Sequence, residues 1–192
     1  VIPAGGGLLV RVNIDAEDDA PYEGAETFQL RATNAGGQSS SGTATIVDDG
    51  TGVIYPNVAP TNASTPATST TGLDDDRSLT VSSPLVNEAS DWTVFNVGGV
   101  AGQVVTLSLV EGSGTGFANI NETQTLQYWD DAKWENYPAS GGVVIPAGGV
   151  LLVRVNIDAE DDAAYGGAET FQLVASNTGG QSSCGAATGV GG

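Results

Sequence analysis

The chain has 192 residues, 40% of them hydrophobic, enough apolar material for a packed core. Against 23 Asp and Glu stand five Lys and Arg, a formal net charge of −18, which repels phosphate backbones and anionic lipid and so argues against nucleic acid and membranes as partners. With no His and a single Cys, Cys184, the chain excludes a Ser-His-Asp triad, a Cys–His nucleophile pair, an imidazole or thiolate zinc site and an internal disulfide.

In chain order, "LLVRVNI" (Leu8 to Ile14) alternates Leu, Val, Val and Ile against Leu, Arg and Asn, the period of a half-buried strand. An acidic loop follows, "DAEDDAPYEGAE", with Asp15, Glu17, Asp18, Asp19, Glu23 and Glu26. "ETFQLRA" resumes the alternation with Phe28 and Leu30 inward, and "GTATIVDDG" reads as a strand ending in Asp48 and Asp49. Tyr55 to Gly72 is rich in Pro, Ser, Thr and Asn, the composition of an extended linker, and "LDDDR" then brings Asp74, Asp75 and Asp76. "SLTVSS", "WTVFNV", "QVVTLSLVE" and "TLQYWDDAKWENYP" supply further short strands, the last folded at a turn over Asp130 to Lys133. With 28 Gly, eight Pro and no helical periodicity, the expected class is all-β, an antiparallel β-sandwich. No stretch approaches the roughly 20 apolar residues of a membrane helix. The opening "VIPAGGGLLVRV" lacks the basic start and cleavage site of a signal peptide, so an export signal is expected outside this chain.

The last third repeats the first. Residues 1–42 align without gaps onto 144–185, and only seven positions differ: Gly7, Pro21, Glu23, Arg31, Thr33, Ala35 and Ser41 become Val150, Ala164, Gly166, Val174, Ser176, Thr178 and Cys184. An offset of 143 residues is too long for a solenoid and suits a whole sandwich domain repeated in tandem. The expected organisation is the C-terminal half of one repeat over 1–54, a linker over 55–72 and a second repeat over 73–192. Either the chain is an excerpt of a longer array, or a neighbouring chain adds the strands that complete the first half-domain.

Like charges at about 4 to 6 Å cost roughly 1 kcal/mol per pair even in water, and solubility does not require so many in one loop. Ca2+ takes six to eight oxygens and accepts several carboxylates at once, so it would turn this repulsion into a folding constraint. The alternative is a solvated acidic face. Asp15, Glu17, Asp19 and Glu26 fall at positions 1, 3, 5 and 12 of an EF-hand frame, but Ala20 stands where the tight turn wants Gly, and strands flank it, so this is not an EF-hand. Loops of a sandwich meet at its ends, so Asp48–Asp49 and Asp74–Asp76 are expected to join the acidic loop in a shared oxygen cage. Asp158 and Glu160 repeat Asp15 and Glu17 in the second copy.

The strings "VNEASDWTVFNV", "VIPAGGVLLVRVNIDAEDDAAYGGAETFQLVASN" and "GTATIVDDG" resemble the Calx-beta family, and more narrowly the tandem Calx-beta-like repeats of giant secreted bacterial surface proteins and adhesins. The resemblance implies an immunoglobulin-like sandwich of about seven strands with calcium sites at one end. It implies Glu88 as an early ligand, Asp161, Asp162 and Glu169 from the later acidic hairpin, their counterparts Asp18, Asp19 and Glu26, and Asp48 and Asp49 as a terminal pair. At the end of the second copy "TATIVDD" becomes "AATGVGG", which removes that pair.

These readings point to a non-enzymatic repeat of a calcium-stiffened extracellular stalk, adhesin or filament, partnered by neighbouring repeats or identical subunits. The alternative is a sugar- or surface-binding module using the hairpin of Tyr128, Trp129, Trp134 and Tyr137, although strand alternation would place some of these rings in the core and pair others across strands. Paired carboxylates also evoke a glycosidase, but with so many acids some pair always falls at a plausible separation, so spacing without a cleft carries little.

Overall fold

The computed structural model describes residues 2–19, 21–60, 62, 65–87, 89–111, 126–157 and 168–190. The chain divides into two compact units, Val1–Asp76 and Arg77–Gly192.

In the first unit the apolar alternation of "ETFQLRA" gives β1 (Glu26–Thr33), which pairs antiparallel with β2 (Ser39–Ile46) in unbroken register from Glu26↔Ile46 to Thr33↔Ser39. The turn is closed by Asn34, whose side-chain oxygen accepts the Gln38 amide at 3.0 Å while the Gly37 amide bonds the Asn34 carbonyl at 3.0 Å. Ahead of the hairpin, Asp15–Glu17 forms one 3-10 turn. The stretch Leu8 to Ile14, expected as a strand, pairs with no strand among the described residues, with Leu8, Val10, Val12 and Ile14 exposed. Alternation marks a strand's faces, but a strand needs a neighbour, and among the described residues none lies beside this one. The linker composition doubles back on itself: Ile54 and Ser69 exchange both backbone hydrogen bonds, each 2.8 Å.

The second unit is an immunoglobulin-like sandwich of two five-stranded sheets. Its strands are β3 (Thr80–Val81), β4 (Leu85–Asn87), β5 (Trp92–Gly98), β6 (Val104–Glu111), β7 (Leu126–Trp129), β8 (Trp134–Asn136), β9 (Val143–Val144), β10 (Val150–Asn156), β11 (Ala168–Ser176) and β12 (Ser182–Val190). One sheet runs β3-β5-β10-β7-β8 and the other β4-β12-β11-β6-β9. Here the same "LLVRVNI" is β10, held between β5 and β7, and its alternation is realised residue by residue: Leu151, Val153, Val155 and Ile157 are buried, with Leu152 exposed and Arg154 and Asn156 half-buried between them.

The core lies between the sheets. Phe95 and Val97 on β5 join the inward residues of β10 from one side, and Val105, Leu107, Phe171, Leu173 and Ala175 on β6 and β11 face them from the other. Phe95 meets Phe171 edge-to-face with ring centroids 5.8 Å apart. Each such side chain contributes about 1.5 to 3 kcal/mol by leaving water. The sheets are antiparallel except at one edge: after Pro84, which cannot donate to a ladder, the chain passes from β3 in the first sheet to β4 in the second, and β4 runs parallel to β12.

Candidate functional site

The acids of the first unit come from four stretches of chain, and the fold uses them differently. Asp15 belongs to its own turn: its amide donates to Asn13 Oδ1 at 2.8 Å and its carboxylate accepts Asn13 Nδ2 at 3.2 Å. Asp49 likewise accepts the Thr51 amide at 3.1 Å and the Thr51 hydroxyl. Beyond β2 the backbone of Asp48 to Gly50 pairs with that of Asp74 to Asp76, through Gly50 N to Asp74 O at 2.7 Å, Asp76 N to Asp48 O at 3.0 Å and a bridge between Asp49 and Asp75. The two Asp runs are thus joined by main chain, which is a backbone pairing and not the shared oxygen cage expected of their side chains. Asp75 is buried in this bridge.

Asp48 reaches the acidic loop itself. Its Oδ2 accepts the amides of Glu23 at 2.8 Å and Gly24 at 3.4 Å. Gly24 takes a φ of +81°, which aims its amide without the strain a side chain would bring. Asp48 Oδ1 is buried and has no hydrogen-bond partner among the described residues. Two carboxyls register the crowding. Glu26 is held above the ordinary carboxylate range, first because it shares a hydrogen bond with Glu17, then by the Glu17 charge, with burial and the charges of Glu23 and Asp19 adding. Asp74 is raised first by burial and then by the charges of Asp76 and Asp18, against a backbone hydrogen bond from Asp75 that lowers it. Thus the charges of Glu17, Glu23 and Asp19 act on Glu26, and those of Asp76 and Asp18 on Asp74.

These acids do not make a finished cage: among the described residues no three acids form a cluster able to hold a metal ion. Of the second-unit candidates, Glu169 lies on β11 opposite Gly189, where Glu26 faces Ile46 in the first copy. Glu88, Asp158, Glu160, Asp161 and Asp162 lie outside the described residues.

The aromatic hairpin is β7–β8, and its turn forms over Asp130 to Lys133 as expected. Asp130 Oδ1 accepts the amides of Ala132 at 3.0 Å and Lys133 at 2.7 Å, which together hold its carboxyl below the usual range. Tyr128 and Tyr137 pack against the core, and the Tyr137 hydroxyl accepts the Leu107 amide at 2.9 Å and donates to Gly141 O at 3.2 Å. Trp129 and Trp134 are cross-strand partners, edge-to-face at 5.6 Å. Trp92 and Arg154 also belong to this group, which nothing in the local sequence indicates. The Arg154 guanidinium stacks 3.9 Å from the Trp92 ring centroid and 4.4 Å from that of Trp134, while Nε and Nη2 donate to Gln127 Oε1 at 2.8 and 2.6 Å. The rings are engaged in a ladder built by the protein itself. Three registers bring them together: β5–β10 sets Asn156 opposite Trp92, β10–β7 sets Arg154 opposite Gln127, and β7–β8 sets Trp134 opposite Trp129.

No protein-family model matches the chain, and no curated protein matches it in sequence. Among solved structures it is similar to AggA, the major subunit of aggregative adherence fimbriae type I from Escherichia coli, at 16% identity and a TM-score of 0.30, over 60% of this chain and 94% of that one. It is also similar to a 1.5-MDa bacterial ice-binding adhesin at 14% identity and a TM-score of 0.24, over 87% of this chain and 41% of that one. Overlaps this loose carry no argument about function, which has to come from the chain itself. No helix among the described residues is long and apolar enough to cross a membrane.

Proposed function

We propose that the chain is a structural repeat segment of an extracellular surface protein, a stalk, adhesin or filament of the Calx-beta type, whose acidic loops bind Ca2+ at the ends of its sandwich units. The observation that carries this reading is the convergence of acids from distant stretches in the first unit. Asp48, with one buried oxygen that accepts no hydrogen bond among the described residues, is bonded to the loop that carries Glu23, and Glu17 holds Glu26 above the ordinary carboxylate range. Hard carboxylate oxygens are the donor set this ion takes, and their mutual repulsion is what a divalent cation relieves. Glu17, Asp18, Asp19, Glu26, Asp48, Asp74 and Asp76 would hold it in the first unit. The role is mechanical and non-catalytic, with neighbouring repeats or like subunits as partners. With the faces of Trp92 and Trp134 engaged by Arg154, nothing favours the sugar-binding alternative.

The test is calorimetric titration of the calcium-free chain with CaCl2, together with amide exchange over residues 15–26 in calcium and in EGTA. Binding with slowed exchange in this loop is expected, and a stabilisation of about 2.7 kcal/mol at a hundredfold excess over Kd. No heat and no change in exchange would overturn the reading. The pH dependence has a definite sign. Glu26 and Asp74 bind protons more tightly folded than unfolded, so without a cation their contribution to stability is present below the ordinary carboxylate range. It is lost as pH rises through the raised values. Calcium should abolish that loss, because it binds the ionised form.

A further inference from the structure

The composition of Tyr55 to Gly72 predicts an extended spacer, which would hold the segments on either side of it far apart. The chain instead brings those flanks together. Asp48 to Gly50 runs antiparallel beside Asp74 to Asp76, with Gly50 N donating to Asp74 O at 2.7 Å and Asp76 N to Asp48 O at 3.0 Å. Further into the loop, Ile54 and Ser69 exchange both of their main-chain hydrogen bonds, each 2.8 Å. We propose that residues 51–73 are a length reserve, folded back and latched at the base by these main-chain bonds, which releases its contour when its two flanks are drawn apart.

The placement of the bonds decides how such a latch opens. Chain enters at Asp48 and leaves at Asp76, the outer end of the ladder, so a pull on the flanks meets the outermost bonds first and the Ile54–Ser69 pair afterwards. The bonds are therefore loaded in turn. Nothing in the loop is part of a core: none of the described residues from Thr51 to Leu73 is buried, and Val53, Tyr55 and Val58 are about half exposed or more. Opening thus breaks hydrogen bonds and separates no packed sheets. The ties from Arg11 to Asn57 and to the Val58 carbonyl are exposed as well. Closing a loop costs an entropy that grows only with the logarithm of its length, and a few main-chain bonds, each modest in net worth, suffice to offset it. Such a balance is reversible. Local turns favour the closed form, because the Asp49 and Ser69 side chains each accept the amide two residues on, from Thr51 and from Thr71, both at 3.1 Å. Gly50, donor of the first base bond, takes a φ of +72°, open to glycine without strain.

Use of the loop as a reserve rests on the reading of the chain as a mechanical segment. The latch itself is main chain and is tested in EGTA, so a chain that binds no calcium leaves it standing, and its own failure leaves the calcium reading standing. DNA handles are clicked to azide-bearing residues placed at positions 45 and 78, both exposed and just outside the base, and the full chain carrying Cys184→Ser is stretched in optical tweezers. One reversible step is expected, releasing roughly 90 Å at about 3.5 Å per residue. Ile54→Cys/Ser69→Cys places two thiols on directly opposed residues, at a spacing a disulfide spans. Oxidation of this pair should shorten the step by about half, and dithiothreitol should restore it. Ile54→Pro/Asp76→Pro removes one amide donor from the inner pair and one from the outer, and should lower the opening force or turn the step into smooth extension. Smooth extension of the parent chain would overturn the proposal. So would failure of the thiol pair to oxidise, a step that its oxidation does not shorten, or an unchanged opening force in the proline variant.

Discussion

Leu8 to Ile14 and Leu151 to Ile157 are the same seven residues in the same order, yet one is a central strand with every inward side chain buried and the other pairs with no strand among the described residues. The two arginines within them diverge in the same way. Arg154 stacks on Trp92 and Trp134, whereas Arg11 turns to the linker, bonding Asn57 Oδ1 and the Val58 carbonyl. What differs is the neighbours, β5 and β7 on either side of β10. Intrinsic preference and binary pattern state which face a segment will bury, and tertiary partners decide whether the strand forms.

Identical substitutions in the two copies put this contrast to the test. Leu173→Ala should cost about 2 to 5 kcal/mol, because it opens a cavity in the inter-sheet core. Leu30→Ala should stay within about 0.5 kcal/mol, as surface changes do. Urea unfolding followed by tryptophan fluorescence reads the second unit, where all three Trp residues lie, and amide exchange over β1–β2 reads the first. Equal costs would dissolve the contrast. Gly185→Ala comes next, at about 1 to 3 kcal/mol, since the Ser82 backbone cannot yield to the new Cβ. Gly42→Ala should be neutral or stabilising by about half a kcal/mol through the unfolded chain. The smallest effect is Arg154→Lys, about 1 kcal/mol from the lost stacking and paired hydrogen bonds, against no measurable change for Arg11→Lys by thermal melting.

Much of the second unit was readable from sequence because its signals are local. The period-two pattern of β10 and β11 and the Asp130 to Lys133 turn each lie within a few residues, and each is realised. The failure at Leu8 to Ile14 has the opposite cause, since nothing in seven residues reports whether a neighbour is present. The parallel pairing of β4 with β12 joins residues about a hundred positions apart and was equally invisible. For the acidic site, sequence supplied the carboxylates of Asp48–Asp49 and Asp74–Asp76. It missed that backbone would join them and that the amides of Glu23 and Gly24 would take one oxygen of Asp48. Main-chain donors carry no side-chain signature, so only the turn glycine at Gly24 hinted at them.

The parallel edge also bears on how the second unit answers to force. β4 lies near its beginning and β12 near its end, and they run in the same direction through three rungs, Leu85 with Thr188, Val86 with Gly189 and Asn87 with Val190. Tension drawn along the polypeptide pulls these strands in opposite directions along their length, loading the three rungs together in shear. An antiparallel hairpin pulled at its open end yields one rung at a time. A domain clasped in this way resists extension through its unfolding rate, so its strength under load depends on β4 and β12 before it depends on the depth of the core.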